Sequence, residues 1–252
     1  MMNSEQFATK VRAREQVLGY WAVLDAPVAT ERLARIGYDY VALDAQHGLL
    51  GYSGVLQGLM AIDAGGGIGV VRVEANHPTP IGRALDAGAT AVIVPLIDDA
   101  EQAAAAVAAA RYAPYGIRSY GPMRSGLRIG PRPAEANERT VVLAMIETAA
   151  GLQNVESICA TPGLDGIYVG PSDLSLALGA EFPNDPAIES EFAEALERIQ
   201  RAATGAGIAA GIHTPDGETA RLRLGQGFTL ASIASDLVHL EAAARAHLAT
   251  VR

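Results

Sequence analysis

Short apolar runs rich in β-branched residues recur along the chain, and each is followed by a segment whose apolar residues repeat with a helical period. This alternation predicts strands that alternate with helices rather than β-hairpins. Eight strands are predicted, at residues 18–24, 40–43, 69–73, 91–94, 141–146, 166–169, 209–212 and 228–231. Segments rich in Ala, Leu, Glu and Arg, such as residues 99–110 and 189–203, are predicted as helices that cover the sheet.

Eight strand and helix units in 252 residues match the size of a closed (β/α)8 barrel. A doubly wound sheet usually has fewer units and a Gly-rich turn after its first strand. Here the run Gly65-Gly66-Gly67 precedes a predicted strand, so no dinucleotide fingerprint is present. We therefore predict one α/β domain over residues 1–252, a TIM barrel with a short polar N-terminal leader and a C-terminal helix.

Composition and charge narrow the classes of function. The chain is 50% apolar and 19% charged, and its net charge of -9 comes with scattered basic residues, which argues against a nucleic-acid partner. Its apolar runs are broken well before about 18 residues, and the first twenty residues hold no signal-peptide pattern. The single cysteine, Cys159, has no disulfide partner in the chain. We expect a cytoplasmic protein without a membrane partner.

Lysine usage excludes one kind of catalysis. The chain has a single lysine, Lys10, which lies in the polar leader before the first predicted strand. A Schiff-base mechanism needs a lysine in the active site, and in a barrel that means the carboxyl end of a strand. The sequence offers none there.

Polar residues follow several predicted strands, and in a barrel these positions meet at one mouth. They are Asp44 and His47, Arg72, Glu147, Asp173 and His213. Glu147 and Asp173 are about one barrel repeat apart, which places two carboxylates on neighbouring strand ends about 5 Å apart. Two carboxylates without Cys or His beside them are typical of a hard-cation site for Mg²⁺ or Mn²⁺.

Each of these residues also has a simpler interpretation. A lone carboxylate at a strand end is often a helix N-cap or half of an ion pair, and Asp173 does precede an apolar helical turn. His47 fits a loop histidine as well as a proton-transfer group that Asp44 orients. Arg72 fits an anchor for a carboxylate of the protein itself, and we assign no role to His213. The coincidence of these residues on one rim favours a functional site.

Five motifs in order carry a resemblance to a known family. They are Leu43-Asp44-Ala45-Gln46-His47-Gly48, Val71-Arg72-Val73, Ala87-Gly88-Ala89 with Val94-Pro95, Met145-Ile146-Glu147-Thr148 and Gly170-Pro171-Ser172-Asp173-Leu174-Ser175. The set, within residues 18–248, resembles the metal-dependent pyruvate aldolases of the HpcH/HpaI type, which include hydroxy-oxo-heptanedioate aldolase and keto-deoxy sugar acid aldolases. The resemblance implies a (β/α)8 barrel that reversibly cleaves 4-hydroxy-2-oxo acids into an aldehyde and pyruvate, or an analogue such as hydroxypyruvate.

The resemblance also implies a role for individual residues. Glu147 and Asp173 match the protein ligands of a divalent ion (Mg²⁺, Mn²⁺ or Co²⁺), with no organic cofactor. Arg72 matches the group that binds the keto-acid oxygens, and Asp44 with His47 matches the pair assigned to proton transfer. The remaining matches are Gly170 and Ser172 at the pyruvate carboxylate, Trp21 beside the pocket, and Asp86 and Tyr120 reaching the site of a neighbouring subunit.

Two departures from the family pattern bear on substrate preference. Gln46 stands where Glu is common, and Met145 stands where Gln is common. Two other functions remain open: a citrate-lyase-like or malyl-CoA-type lyase, and a non-catalytic keto-acid-binding protein. The chain is short for a coenzyme A site and has no added basic patch for the nucleotide phosphates.

Two segments predict a homo-oligomer. The irregular segment 112–133 is long for a compact barrel, and the Ala-rich final helix at 237–249 has small residues that allow close packing. We expect a hexamer, with the C-terminal helix on a neighbouring subunit. A helix that closes its own barrel is the alternative.

Overall fold

The computed structural model describes residues 2–183 and 185–252. These residues form a closed barrel of eight parallel strands in sequential order, which confirms the predicted TIM barrel. The strands are β1 (Val17–Ala22), β2 (Tyr40–Asp44), β3 (Gly69–Arg72), β4 (Ala91–Val94), β5 (Val141–Ile146), β6 (Gly166–Val169), β7 (Ala209–Thr214) and β8 (Leu230–Ser235).

Helices connect successive strands, and one further helix precedes the first strand and another follows the last. They are α1 (Ser4–Arg12), α2 (Pro27–Ala34), α3 (Tyr52–Gly65), α4 (Pro78–Asp86), α5 (Ala100–Ala110), α6 (Ser125–Arg128), α7 (Pro133–Arg139), α8 (Ala149–Gln153), α9 (Val155–Cys159), α10 (Pro171–Ala177), α11 (Glu189–Ala206), α12 (Gly217–Gly225) and α13 (Asp236–Val251), with a short 3₁₀ turn at Pro186–Ile188. No helix in the described part of the chain has both the length and the hydropathy to cross a bilayer.

The predicted bounds of β4, β5 and β6 are confirmed at both ends, but β8 is displaced. It begins two residues later than expected, after a left-handed turn at Gly227, and runs on to Ser235. The predicted strand stops at residue 231 because the polar Ser232 interrupts the apolar pattern. Inside the barrel Ser232 is fully buried and hydrogen-bonds the hydroxyls of Tyr40 and Tyr168, so its polarity is satisfied there.

The expected polar leader is instead an amphipathic helix. Asn3 caps α1 in a capping box with Gln6, and Phe7, Ala8 and Val11 are buried in the inner core of the barrel. This inner core is separate from the larger outer core, which lies between the sheet and its surrounding helices. Helix α1 therefore closes the end of the barrel at which the strands begin.

The expected irregular segment 112–133 contains the short helix α6 and ends where α7 begins. Several of its apolar side chains are exposed: Tyr115, Ile117, Tyr120, Met123 and Leu127. Helix α13 has no buried residue and also exposes apolar side chains, among them Leu240 and Val251. Both segments thus present uncovered apolar surface.

Candidate active site

The carboxyl ends of β1, β2, β3, β5 and β6 carry most of the predicted site residues. Trp21, Asp44 and Arg72 lie on the first three of these strands, Glu147 directly follows β5, and Asp173 is in the first turn of α10 after β6. Trp21, Asp44, Arg72 and Glu147 are all buried, whereas Asp173 is exposed. Buried charged side chains at one barrel mouth are a strong sign of function.

Arg72 and Asp44 form an ion pair across neighbouring strands. The register of β2 and β3 places the two residues directly opposite each other. Arg72 Nε donates to Asp44 Oδ1 over 2.9 Å, and Nη2 donates to Oδ2. The pair is bidentate, which fixes the plane of the guanidinium group and leaves Nη1 as its remaining donor end.

Asp44 is surrounded by donors. Besides the two donors of Arg72, its carboxylate accepts hydrogen bonds from Trp21 Nε1 at 3.3 Å and from the backbone N–H groups of Gln46 and His47, both at 3.1 Å. Burial alone would raise the pKa of Asp44, but the hydrogen bonds and charge of Arg72 outweigh it and lower the pKa. Asp44 is therefore an anion at neutral pH and cannot act there as a general acid.

The expected orientation of His47 by Asp44 is corrected by these contacts. Among the described residues, Asp44 contacts the backbone of His47 and makes no hydrogen bond to its ring. The His47 side chain is exposed at the mouth. Asp44 thus shapes the loop that carries His47 and orients Arg72.

Glu147 has one carboxylate oxygen without a hydrogen-bond partner in the described part of the chain. Its Oε1 accepts from the backbone N–H of Leu96 at 2.8 Å, and Leu96 adopts a left-handed backbone conformation with φ of 55°. Its Oε2 is buried and has no hydrogen-bond partner in residues 2–183 and 185–252. Burial raises the pKa of Glu147, and the negative charge of Asp173 adds to the rise. A buried carboxylate oxygen without a donor is costly unless a cation or a ligand completes it.

The donor set at this point fits a divalent cation. A Cβ at Gly170 would lie 2.2 Å from Glu147 Oε2, so only glycine leaves room for the carboxylate. Within the described ranges, no group of three or more His, Cys, Asp or Glu is arranged to hold a metal ion. Glu147 and Asp173 would then supply two oxygens and leave further positions to water and substrate, as Mg²⁺ and Mn²⁺ sites often do.

The helix that follows β6 presents further donors near Glu147. Gly170 precedes α10, and Pro171 takes its first position. The backbone N–H groups of Ser172 and Asp173 lie in the first turn, where an α-helix leaves them without helical acceptors. The segment is therefore suited to hold an anionic group beside the two carboxylates.

Asp86 and Tyr120 are not part of this mouth. Asp86 ends α4, at the opposite end of the barrel, and accepts a hydrogen bond from Arg118 Nη2 at 2.7 Å. Tyr120 lies in the nearby segment 112–133 and donates to the carbonyl oxygen of Pro131. Within one chain the two residues form a separate surface, so their predicted roles require a neighbouring subunit.

Lys10 is also remote from the mouth. It lies on α1, and its Nζ pairs with Asp39 Oδ1 at 3.1 Å before β2 begins. No lysine is therefore available for a covalent adduct at the site.

His213 is a site residue that the sequence did not assign. It lies near the end of β7, and its ring contacts that of Trp21 with centroids 5.2 Å apart. Its position after an apolar strand was visible in the sequence. The direction of its side chain, however, depends on which alternate residues of β7 face the inside of the barrel. That direction became clear only from the packing.

Comparisons with known proteins agree with the motifs. The sequence model of a family described as HpcH/HpaI aldolase/citrate lyase matches residues 17–243. A hydroxypyruvate/pyruvate aldolase from Rhizorhabdus wittichii is 39% identical over 239 residues, which cover 93% of this chain and 94% of the relative. A 5-keto-4-deoxy-D-glucarate aldolase from Klebsiella pneumoniae is 38% identical over 235 residues, which cover 92% of this chain and 91% of the relative.

A solved structure is similar over almost the whole chain. It is described as an HpcH/HpaI aldolase/citrate lyase family protein from Burkholderia cenocepacia and is 32% identical in sequence. Its TM-score is 0.88, and the match covers 98% of this chain and 99% of the other.

Proposed function

Because this chain belongs to the HpcH/HpaI aldolase/citrate lyase family, we propose that its barrel mouth cleaves a 4-hydroxy-2-oxo acid reversibly. The products are an aldehyde and pyruvate, or a close analogue such as hydroxypyruvate. The relatives confirm the aldolase class expected from the motifs. The observation that carries the proposal is the buried Oε2 of Glu147 beside Asp173, which has no hydrogen-bond partner among the described residues, in a mouth that also holds Arg72.

Glu147 and Asp173 would hold a divalent ion, since the family is metal-dependent. When bound, such an ion would withdraw electron density from the keto group and stabilise the negative charge that develops on the keto oxygen. Mg²⁺, Mn²⁺ and Co²⁺ all suit two carboxylates with further oxygen ligands.

Arg72 would stabilise the same developing charge from the protein side. Aldol cleavage breaks the C3–C4 bond of the substrate. Its electron pair forms a C2=C3 double bond, and the π electrons of the C2 carbonyl move onto the keto oxygen to give an enolate. The Nη1 end of Arg72 is fixed by the pair with Asp44 and can donate to that oxygen with little reorganisation. Asp44 would therefore position Arg72 rather than exchange protons.

His47 would move the proton of the reaction. In the cleavage direction the C4 hydroxyl loses its proton as the aldehyde forms, and the enolate later gains a proton at C3 to give pyruvate. His47 is exposed at the mouth and can accept the proton from the hydroxyl, directly or through a water. The backbone of Gly170 and Ser172 would hold the carboxylate, and Trp21 would line the pocket.

A neighbouring subunit would complete the site. The exposed apolar side chains of segment 112–133 and of α13 need a partner, and Asp86 and Tyr120 lie within or beside this surface. A homo-oligomer, such as a hexamer, would bring these two residues to another chain's mouth. The cytoplasmic location expected from the sequence stays a prediction.

The test measures turnover with two kinds of substrate, pyruvate with an aldehyde and acyl-CoA compounds, together with the binding of keto acids. Pyruvate with an aldehyde should give a hydroxy-oxo acid, and acyl-CoA substrates should give no product. Turnover of acyl-CoA alone would favour the citrate-lyase-like alternative instead. Binding of keto acids without turnover, under every metal tried, would favour a non-catalytic binding protein.

A further inference from the structure

The inner face of β7 points His213 into the barrel mouth. Ala209 lies in the inner core and Ile212 in the outer core, so the alternation of the strand turns His213 inward. The register of β6 and β7 aligns Val169 with Ile212, which places His213 beside Gly170. His213 therefore lies next to the strand end that would hold the keto acid.

One nitrogen of His213 has no hydrogen-bond partner among the residues that the structure describes. Its ring packs edge-on against Trp21, with an angle of 62° between the two ring planes. The centroid of the Trp21 ring also lies 5.1 Å from the guanidinium carbon of Arg72. The ring is partly exposed, yet Nδ1 is buried and forms no hydrogen bond within the part of the chain that the structure describes. A buried polar atom of this kind usually has a partner, either in the protein or in a ligand.

The imidazole is neutral across the physiological range. Burial, together with the positive charge of Arg72, lowers the pKa of His213 to about 4, against a smaller opposing effect of Asp44. A neutral imidazole has one donor nitrogen and one acceptor nitrogen. It is a poor match for a carboxylate, which prefers cationic donors, and a good match for a hydroxyl group, which both donates and accepts.

We propose that His213 hydrogen-bonds a hydroxyl group of the substrate and makes the enzyme prefer hydroxylated over deoxy substrates. The inference rests on the proposed aldolase function and adds a specificity-determining residue to it. The hydroxyl is carried either by C3 of the keto acid, as in hydroxypyruvate, or by the carbon next to the aldehyde, as in glycolaldehyde. A site built around a hydrogen bond to a substrate hydroxyl discriminates against the analogue without it, because the polar group of the site is then left unpaired.

The experiment compares substrate pairs in wild type and His213 variants. Pyruvate with acetaldehyde is the reference pair. Hydroxypyruvate with acetaldehyde adds the hydroxyl on the keto acid, and pyruvate with glycolaldehyde adds it on the aldehyde. The measured quantity is the ratio of kcat/KM for each hydroxylated pair to kcat/KM for the reference pair.

In His213→Phe, which keeps an aromatic ring against Trp21, one of the two ratios should fall about threefold to tenfold, as expected for one neutral hydrogen bond. The ratio that falls identifies which hydroxyl is bound. His213→Gln keeps a donor and an acceptor and should retain more of that ratio than His213→Phe. His213→Leu serves as a second apolar substitution if His213→Phe does not fold, judged by circular dichroism.

Unchanged kcat/KM ratios in the folded apolar variant would overturn the role of His213. A fall of the ratio in His213→Gln as large as the fall in His213→Phe would also overturn it. A wild-type enzyme that turns over none of the pairs would instead contradict the proposed aldolase function. The two failures are therefore distinguishable.

Discussion

Asp44 and Arg72 stand opposite each other on β2 and β3 and form a bidentate ion pair inside the barrel mouth. The pair uses two donor nitrogens of the guanidinium group and holds the remaining one in place. Both side chains are buried, so the pair is shielded from the solvent that weakens surface ion pairs. Preorganised donors of this kind stabilise developing charge without the reorganisation that water would need.

Replacing Arg72 by Lys should lower kcat by about 10² or more, because lysine keeps the charge but loses the planar fork. Steady-state kinetics of the aldol cleavage measures the effect. Arg198→Lys, in the exposed pair with Glu156, is the matched control and should behave as wild type. An Arg72→Lys enzyme with unchanged kcat and kcat/KM would remove Arg72 from the chemical step.

Replacing Asp44 by Asn should lower the free energy of unfolding by about 3 to 5 kcal/mol near pH 7, because the buried Arg72 loses its anionic partner. The folded pKa of Asp44 lies below its unfolded value of about 4. The stabilisation by the pair is therefore present above about pH 4 and is lost as the pH falls through the lowered folded pKa.

Urea unfolding of wild type and Asp44→Asn at several pH values measures this difference. It should be constant between about pH 5 and pH 8 and should shrink at more acidic pH. Glu156→Gln, in an exposed pair, should change the free energy of unfolding by less than about 1 kcal/mol. A difference for Asp44→Asn that grew toward acidic pH would show that the pair does not stabilise the fold as described.

Replacing His47 by Ala should slow aldol cleavage more than the exchange of the pyruvate methyl protons, because only cleavage moves the proton of the C4 hydroxyl. Product formation measures the first reaction, and deuterium exchange followed by NMR measures the second. Equal losses in both reactions would place His47 at the pyruvate methyl group instead.

Mixing two inactive proteins tests whether sites are shared between subunits. Glu147→Ala lacks a carboxylate of its own mouth, and Asp86→Ala lacks the group predicted to reach a neighbour's mouth. Mixed oligomers should regain part of the activity once subunits exchange, because some mouths then contain both residues. No recovery after verified exchange, or a fully active monomer by light scattering, would show that each chain carries a complete site.

The barrel could be predicted from sequence because its strands are near-continuous apolar runs. The end of β8 could not, since Ser232 is polar by sequence and buried only because two tyrosine hydroxyls meet it inside the barrel. Helix α1 was missed for a similar reason. Its few apolar residues, such as Phe7 and Val11, are too sparse to signal a buried face until the open end of the barrel is known.

For the candidate site, the sequence predicts where the residues lie but not which residues they contact. Asp44, Arg72, Glu147 and Asp173 could be placed at one mouth because the carboxyl ends of parallel strands meet there. Their partners could not be predicted, because Asp44 lies within reach of both His47 in its own loop and Arg72 on the next strand. The register of β2 and β3 decides in favour of Arg72.

Metal removal tests the central claim most directly. Wild-type enzyme treated with EDTA should lose aldol cleavage, and Mg²⁺, Mn²⁺ or Co²⁺ should restore it, whereas Glu147→Gln should stay inactive with every ion. Borohydride should trap no substrate adduct, because Lys10 is remote from the mouth. Full activity after exhaustive chelation, or a trapped adduct, would contradict a divalent ion held by Glu147 and Asp173.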